Sequence, residues 1–404
     1  MDKANPKVSG KDHRQIGQEL DLFSFHDIAP GAIFWHPKGW KIYLTLQEFI
    51  RKRLADEGYK EISGPVMVKS ALFQKSGHWD FYKENMFNLD VEKETYSLKP
   101  MNCPEASLIF STKTRSYNDL PIRFSQFDVL HRNELSGVLG GAFRVRQFSI
   151  DDAHIFVRPD QIQDEIGKLI LLVVDFYNSL SFKPEFYLST KPDKAMGDEK
   201  LWADAENSLK EALKNSKVKY GVKEKDGAFY GPKIDIHIKD SQDRDWQLAT
   251  IQLDFQIPQK MELEYIDKEG LGKRPVIVHR AILGSLERFI GILTEHYQGS
   301  FPLWLSPVQV ELLPIADRHA VGAEKIAKEI RNAGISVEVN TKSETLQNKI
   351  RNATLQKVPY LGIIGDREIE ASNISVRTKN GKDLGSLKVS EFLQKLKEEI
   401  DKKI

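Results

Sequence analysis

Cys103 is the only cysteine in these 404 residues. It therefore forms no disulfide within the chain, and no CxxC or CxxH partner stands beside it to make a local zinc motif. The lack of paired cysteines fits a reducing compartment, and a cytoplasmic location is expected. Charge of one sign is missing too. The 59 Lys and Arg against 58 Asp and Glu leave a net charge of +1, so no global field draws a polyanion, and a nucleic-acid partner would have to meet a local patch. No apolar run reaches the roughly 18 residues that a membrane-spanning helix needs. The opening stretch MDKANPKVSGKDHRQIG is polar, has no apolar signal core and few arginines, which argues against a secretory leader or transit peptide. Internal repeats and low-complexity tracts are absent as well.

The length is enough for two or three domains with sizeable cores. GWKIYLTLQEFIRKRLADEGY (39–59) reads as one amphipathic helix, with Ile42, Leu46, Phe49, Ile50 and Leu54 at helical spacing and Gly58 as its stop. KEISGPVMV follows as an extended piece. Residues 121–157 read as two long strands around the Gly-rich LSGVLGGA, and 163–180 as a second helix. Alternation returns around 218–257. RPVIVHRAIL then reads as a strand running into a helix opened by Gly284 and Ser285. Two prolines in PLWLSP (302–307) mark a boundary. Beyond it, strands alternate with helices at 318–333, 344–356 and 389–402, which implies a small α/β domain with a mostly parallel sheet. The first 300 residues or so group their strands instead, as an antiparallel sheet flanked by helices does.

Several residue patterns suggest chemistry. Taken as one strand, FRVRQFSIDDAHIF (143–156) puts Arg144, Arg146, Phe148, Ile150, Asp152 and His154 on one face. A solvated face is the ordinary explanation of such charges, but the run continues straight into apolar residues, so His154 is expected at a buried edge. Arg144 and Asp152 would then lie about 26 Å apart along an ideal strand, too far for one small ligand unless the strand coils. Arg132 and Glu134 in VLHRNELSG share a face; the arginine is either an anion clamp or half of a surface ion pair. Arg288, in GSLERF, lies near a helix start that favours anions. Tyr230 and Lys233 flank a Gly-Pro turn. Gln247 and Gln252 fall on opposite faces of their strand unless it bulges. As for Cys103, its ordinary role is that of a small buried hydrophobe, and any chemistry there needs partners from distant sequence.

The strings KPMNCP, HRNE, FRVRQF, DDAHIF, FYGPKIDI, IQLDFQIP, VHRAILGSLERF and VPYLGIIGDRE occur in this order and resemble the threonyl-tRNA synthetase family of the class II aminoacyl-tRNA synthetases. The resemblance runs from about Lys11 to Ile400. It implies an α+β catalytic domain of class II synthetase fold over 1–304, with an antiparallel sheet flanked by helices, and a small α/β anticodon-binding domain over 305–404. It implies ligation of L-threonine to tRNA(Thr) through a threonyl adenylate made with ATP and Mg2+. A zinc ion would be held by Cys103, His154 and His279, with its open position taking the amino group and hydroxyl of threonine. Asp152 would accept from that hydroxyl. Arg132 would meet the α-phosphate and carboxylate, Arg288 the γ-phosphate, and Arg144 another part of ATP. Glu134 would lie near the adenine edge or orient Arg132. Met101, Tyr230, Lys233, Gln247, Gln252 and Ser285 would line the substrates. His78 would remove a proton during transfer to tRNA, or simply pack beside Trp79.

Beyond the boundary, the resemblance puts Glu368 and Arg377 against anticodon bases. Lys349, Arg351 and Lys357 make a basic stripe for phosphates, or a solvated helix face. A homodimer is implied, because the helix before Pro65 resembles the family's dimer element. Three positions depart from the family pattern: Ile150 stands for a glutamine, Ala106 for a histidine and Ser343 for an asparagine. The resemblance does not reach the N-terminal regions that edit seryl-tRNA in many relatives, so charging with serine is expected. The alternatives are an inactive paralogue that binds nucleic acid and a prolyl- or seryl-type relative; the retained Arg132, Arg288 and Cys/His/His set argue against both.

Overall fold

The computed structural model describes residues 10–403, so the first nine residues of the polar N-terminal stretch lie outside it. The chain forms two compact units. One comprises Phe25–Ile33 and Gln47–Gly291; the other comprises the described residues up to Ser24, Phe34–Leu46 and the described residues from Ile292 onward.

The first of these is built on an eight-stranded sheet. Its order is Tyr220–Lys223, Glu185–Ser189, Lys233–Lys239, Asp245–Asp254, Val276–Ala281, Asp152–Val157, Ile122–Gln126 and Lys60–Glu61. The interior pairs are antiparallel, as expected, and only the two outermost pairs are parallel. Strict alternation divides the central strands into two faces. Ala153, Ile155, Ala249, Ile251, Leu253 and Val278 are fully buried. The helix Ile162–Ser179, whose Ile166, Leu169, Ile170, Val173 and Phe176 recur at helical spacing and are buried, packs on the strands Asp245–Asp254 and Val276–Ala281. The opposite face carries His154, His279, Gln252 and Asp254. Over one end of it lies the helix Cys103–Ser111, whose Phe110 stacks on Phe156 at a ring distance of 4.3 Å. Burying two such rings contributes about 1.5–3 kcal/mol each.

The two long strands expected over 121–157 are in fact four short ones. Ile122–Gln126 and Asp152–Val157 belong to the large sheet, while Val129–His131 and Gln147–Ser149 form a separate two-stranded ladder. The ladder breaks at Ile150 and Asp151. The buried Asp151 carboxylate accepts the backbone N–H groups of Ile282 and Leu283 at 2.9 and 2.8 Å and pairs with the fully buried Arg280 at 3.0 Å. Arg144 and Arg146 therefore lie on no common strand face with Asp152.

The second unit contains a five-stranded sheet in the order Val337–Val339, Val310–Pro314, Tyr360–Ile364, Asn373–Thr378, Asp383–Lys388. The expectation of a mostly parallel sheet needs correction: the first three strands are parallel and the last two antiparallel. A parallel return takes a crossover of a dozen residues or so. Between Tyr360–Ile364 and Asn373–Thr378 there is only the six-residue helix Asp366–Ala371. The helices Ala320–Asn332 and Val389–Lys402 bury Ile326, Ile330, Phe392 and Leu396 in one core with Val310, Leu312 and Val376. No helix among the described residues is long and apolar enough to cross a membrane.

Candidate active site

The polar face of the large sheet is laid out by strand register. His154 lies directly opposite His279, and His279 lies opposite Gln252, which in turn faces Lys233. The two imidazole rings are 5.0 Å apart and nearly perpendicular. Cys103, at the start of its helix, completes the group: Cys103, His154 and His279 each offer a ligand atom, and these atoms all lie within 4.8 Å of one another. All three residues are buried. The lone thiol thus has the distant partners that its isolation in sequence required.

The chemistry of this group suits a soft or borderline metal ion such as zinc. His154 Nδ1 is buried and makes no hydrogen bond in the structure. Burial first, and then the charges of Asp152 and Asp254, push the Cys103 thiol well up. Burial likewise pushes the His154 imidazole well below its ordinary value, reinforced by His279 and Arg280. The site therefore offers a neutral imidazole at His154 and a thiol that needs a nearby cation to ionise. His78 is close by: Nε2 lies 3.2 Å from the Cys103 sulfur and Nδ1 lies 2.9 Å from Ser76 Oγ. Burial lowers its pKa to about 4, against the opposing charge of Asp254.

A second group of buried charges sets the position of the cysteine helix. The Lys99 side chain is 0% exposed, and its ammonium donates to Glu105 at 2.7 Å, Asp128 at 2.6 Å and the Gly64 carbonyl at 3.3 Å. Glu105 stands two residues after Cys103, in the first turn of the same helix. Asp128 also accepts from Ser63 Oγ, Gly64 N and Gln126 Nε2, at 2.6, 2.8 and 2.6 Å.

A cavity of about 230 Å³ opens over the histidine face. Its wall brings together the three candidate ligands with Met101, Arg132, Asp152, Tyr230 and Gln252, as well as Ile150, one of the three departures. Asn102 Nδ2 donates to Asp152 at 3.2 Å. Burial raises the Asp152 carboxyl, against the pull of His279 and a hydrogen bond from Asn102. Arg132 donates to the Pro100 carbonyl at 3.3 Å, and its guanidinium lies 5.1 Å from the Phe148 ring centre.

Other expected residues sit outside this wall. Arg144 and Glu134 form an ion pair at 2.8 Å, with Arg144 more than half exposed. Ser285 Oγ accepts the Arg288 backbone N–H at 3.1 Å. Arg288 lies over Trp246; its Nε is buried without a partner, and burial together with the charge of Arg144 lowers its pKa. Lys233 and Gln247 converge on Asp235, at 2.6 and 2.7 Å. The two glutamines share a face after all, because the strand pairing slips between Ile236 and His237 and leaves Leu248 as an extra residue.

In the other unit, Glu368 caps its own helix by accepting the Gly365 N–H at 3.0 Å, and Arg377 lies 3.5 Å from Asp383. The basic stripe needs correction. Lys349 is buried, with its ammonium on the carbonyls of Pro314 and Asn340 at 3.1 Å each, while Arg351 and Lys357 are exposed. Sequence reasoning also missed Thr250, Asp235 and Asp254. Asp254 falls in the quoted IQLDFQIP, two residues after Gln252 and so on the same face.

Comparison with known proteins gives first the class. Residues 82–297 match the tRNA synthetase class II core domain (G, H, P, S and T), and 309–399 match an anticodon binding domain. The chain is 49% identical over 390 residues to the threonine–tRNA ligase of Caldanaerobacter subterraneus subsp. tengcongensis, covering 96% of this chain and 61% of that protein. It is 48% identical to that of Carboxydothermus hydrogenoformans, covering 97% and 62%. Among solved structures, the RNA binding domain of threonyl-tRNA synthetase from Cryptosporidium parvum superimposes with a TM-score of 0.94 at 40% identity, covering 96% of this chain and 98% of that one. A putative threonyl-tRNA synthetase, ThrRS-1, from Aeropyrum pernix superimposes at 0.82 and 27%, covering 97% of each. The chain belongs to the threonyl-tRNA synthetase family. It spans about three fifths of the length of the curated relatives it matches, 61% and 62% in the two named here.

Proposed function

We propose that this chain activates L-threonine with ATP and transfers it to tRNA(Thr). One observation carries the reading: a thiol and two imidazoles from three distant segments converge on a cavity whose wall also holds Arg132 and Asp152. Cys103, His154 and His279 would hold one zinc ion. When bound, zinc supplies a Lewis-acidic position for the amino group and hydroxyl of threonine, a hydroxyl that valine lacks. An apolar pocket alone separates such near-isosteres only about 100-fold.

The chain's own residues do the rest. Asp152, on the strand face of His154, accepts from the substrate hydroxyl. Met101, Tyr230 and Gln252 enclose the amino acid, with Lys233 and Gln247 behind them. Arg132 steadies the carboxylate and α-phosphate at the moment of attack. Burial, and after it the charge of Arg144, disfavour the Arg288 cation in the free protein, and the phosphates of Mg2+-bound ATP supply the negative charge that offsets this. Glu134 gives up Arg144 when ATP enters, and Ser285 keeps Arg288 on its helix start. His78, a buried neutral imidazole, takes the proton of the tRNA 3′-terminal ribose hydroxyl. Residues 1–304 form the catalytic domain and 305–404 the anticodon-binding domain, where Glu368 and Arg377 face bases. The chain acts as a homodimer in the cytoplasm.

The test is ATP–pyrophosphate exchange with each of the twenty amino acids in turn. Threonine should give the fastest exchange, serine a slower one because it too has a hydroxyl, and valine no more than background. Exchange that is fastest with any other amino acid, or absent with threonine, overturns the reading.

A further inference from the structure

His154 and His279 are not held alike. His154 Nδ1 is buried without a hydrogen-bond partner, whereas His279 Nε2 lies 2.9 Å from Asp254 Oδ2. Asp254 is 0% exposed and ends the strand that pairs with the strand of His279. Its direct opposite is Ile277, so the contact with His279 is diagonal across the ladder. Its other oxygen is already engaged: Oδ1 accepts the N–H groups of Gln256 and Ile257, at 2.7 and 2.9 Å, at the start of the short helix Gln256–Lys260. These bonds fix the carboxylate's orientation. Among the described residues, its one ion-pair partner is His279, with no lysine or arginine beside it. A buried carboxylate without a cation is costly. A metal ion on the far side of the imidazole would supply the missing positive charge.

We propose that Asp254 is a positioning residue that makes His279 a metal ligand. The inference rests on the zinc reading above. With Asp254 Oδ2 placed 2.9 Å from Nε2 as the acceptor, the His279 ring donates through Nε2–H and leaves its lone pair on Nδ1 for the metal. The carboxylate sets both the tautomer and the ring plane, and it makes the ring a stronger donor to the metal.

Two variants of the full chain test this. Asp254→Asn keeps an oxygen for the Gln256 and Ile257 amides but turns an amide N–H toward Nε2, which favours the Nδ1–H tautomer and blocks the metal's lone pair. Asp254→Ser keeps a helix-capping hydroxyl but is too short to reach the ring. The readouts are zinc affinity by chelator competition, the visible spectrum of the Co2+-substituted protein, and the melting temperature of the metal-free protein. Both variants should bind zinc about 10- to 100-fold more weakly with an altered cobalt spectrum, and the metal-free melting temperature should stay within a few degrees of the parent. Zinc affinity within twofold of the parent overturns the proposal. So does a loss of affinity seen only alongside a collapse of the metal-free fold. A parent chain that binds no zinc overturns the metal reading itself, a result distinct from either of these.

Discussion

Replacing Lys99 with Met keeps most of the aliphatic stem and removes the ammonium. The Glu105 and Asp128 side chains, 5% and 12% exposed, then lose the cation that holds them 2.7 and 2.6 Å away. Asp128 keeps three neutral donors, but Glu105 keeps only the Gln126 amide at 3.4 Å. Removing one partner of a buried ion pair costs about 3–5 kcal/mol. For a unit of this size that corresponds to a fall in melting temperature of roughly 6–20 °C. The pH dependence gives a second check. Burial already raises the Glu105 carboxyl above its ordinary value of 4.5 while Lys99 restrains it. Without Lys99 its folded pKa rises further. A carboxyl raised in the folded state loses stability as pH climbs from its unfolded value through its folded one, so the deficit is small near pH 5 and grows toward neutrality. Adding Glu105→Gln to Lys99→Met removes the stranded carboxylate and should restore part of the loss. Thermal melts of the three variants at pH 5.5 and 7.5 measure all of this. A shift below about 2 °C at pH 7.5, less than 1 kcal/mol, would refute the reasoning. So would a deficit equal at both pH values.

Two further outcomes are expected. Cys103→Ser should remove zinc, read by metal analysis, and abolish threonine-dependent pyrophosphate exchange while leaving the far-UV circular dichroism unchanged; undiminished exchange would contradict the role given to the thiol. Glu287 is buried, accepts the Ser149 N–H at 3.1 Å, and is raised by that burial from 4.5 to about 8. The folded chain holds this proton after the unfolded chain has lost it, so stability falls as pH rises from about 4.5 through about 8, by an amount on the order of 4 kcal/mol. Glu287→Gln should match the parent near pH 5 and exceed it at pH 8.5 in denaturation experiments; parallel pH profiles would count against the burial argument.

Legibility varied with the period of the signal. The helix over 389–402 has the same limits in sequence and structure, because its apolar stripe is regular. The long strand drawn through 143–156 failed because alternation continues across Ile150 and Asp151, whereas the backbone there is diverted by a buried carboxylate that collects two amides. Long-range hydrogen bonds of that sort leave no periodic trace. Lys349 was misplaced for the opposite reason: it shares a helix face with the packed residues Leu346, Ile350 and Ala353, a spacing visible in the sequence but outweighed by the residue's charge. The candidate ligands became legible through motif order. Asp254 stayed hidden because an aspartate between a strand and a helix reads as a cap, and it is one, with its second oxygen turned to another use.

The three candidate donors differ in how firmly the protein holds them. Two belong to neighbouring strands in direct register, fixed by the same ladder that builds the sheet, and the third rides on a nine-residue helix that is not part of it. An ion gripping all three would add one more tie between that helix and the sheet, beside the Lys99–Glu105 pairing and the Phe110–Phe156 stack that hold it in place without any ion.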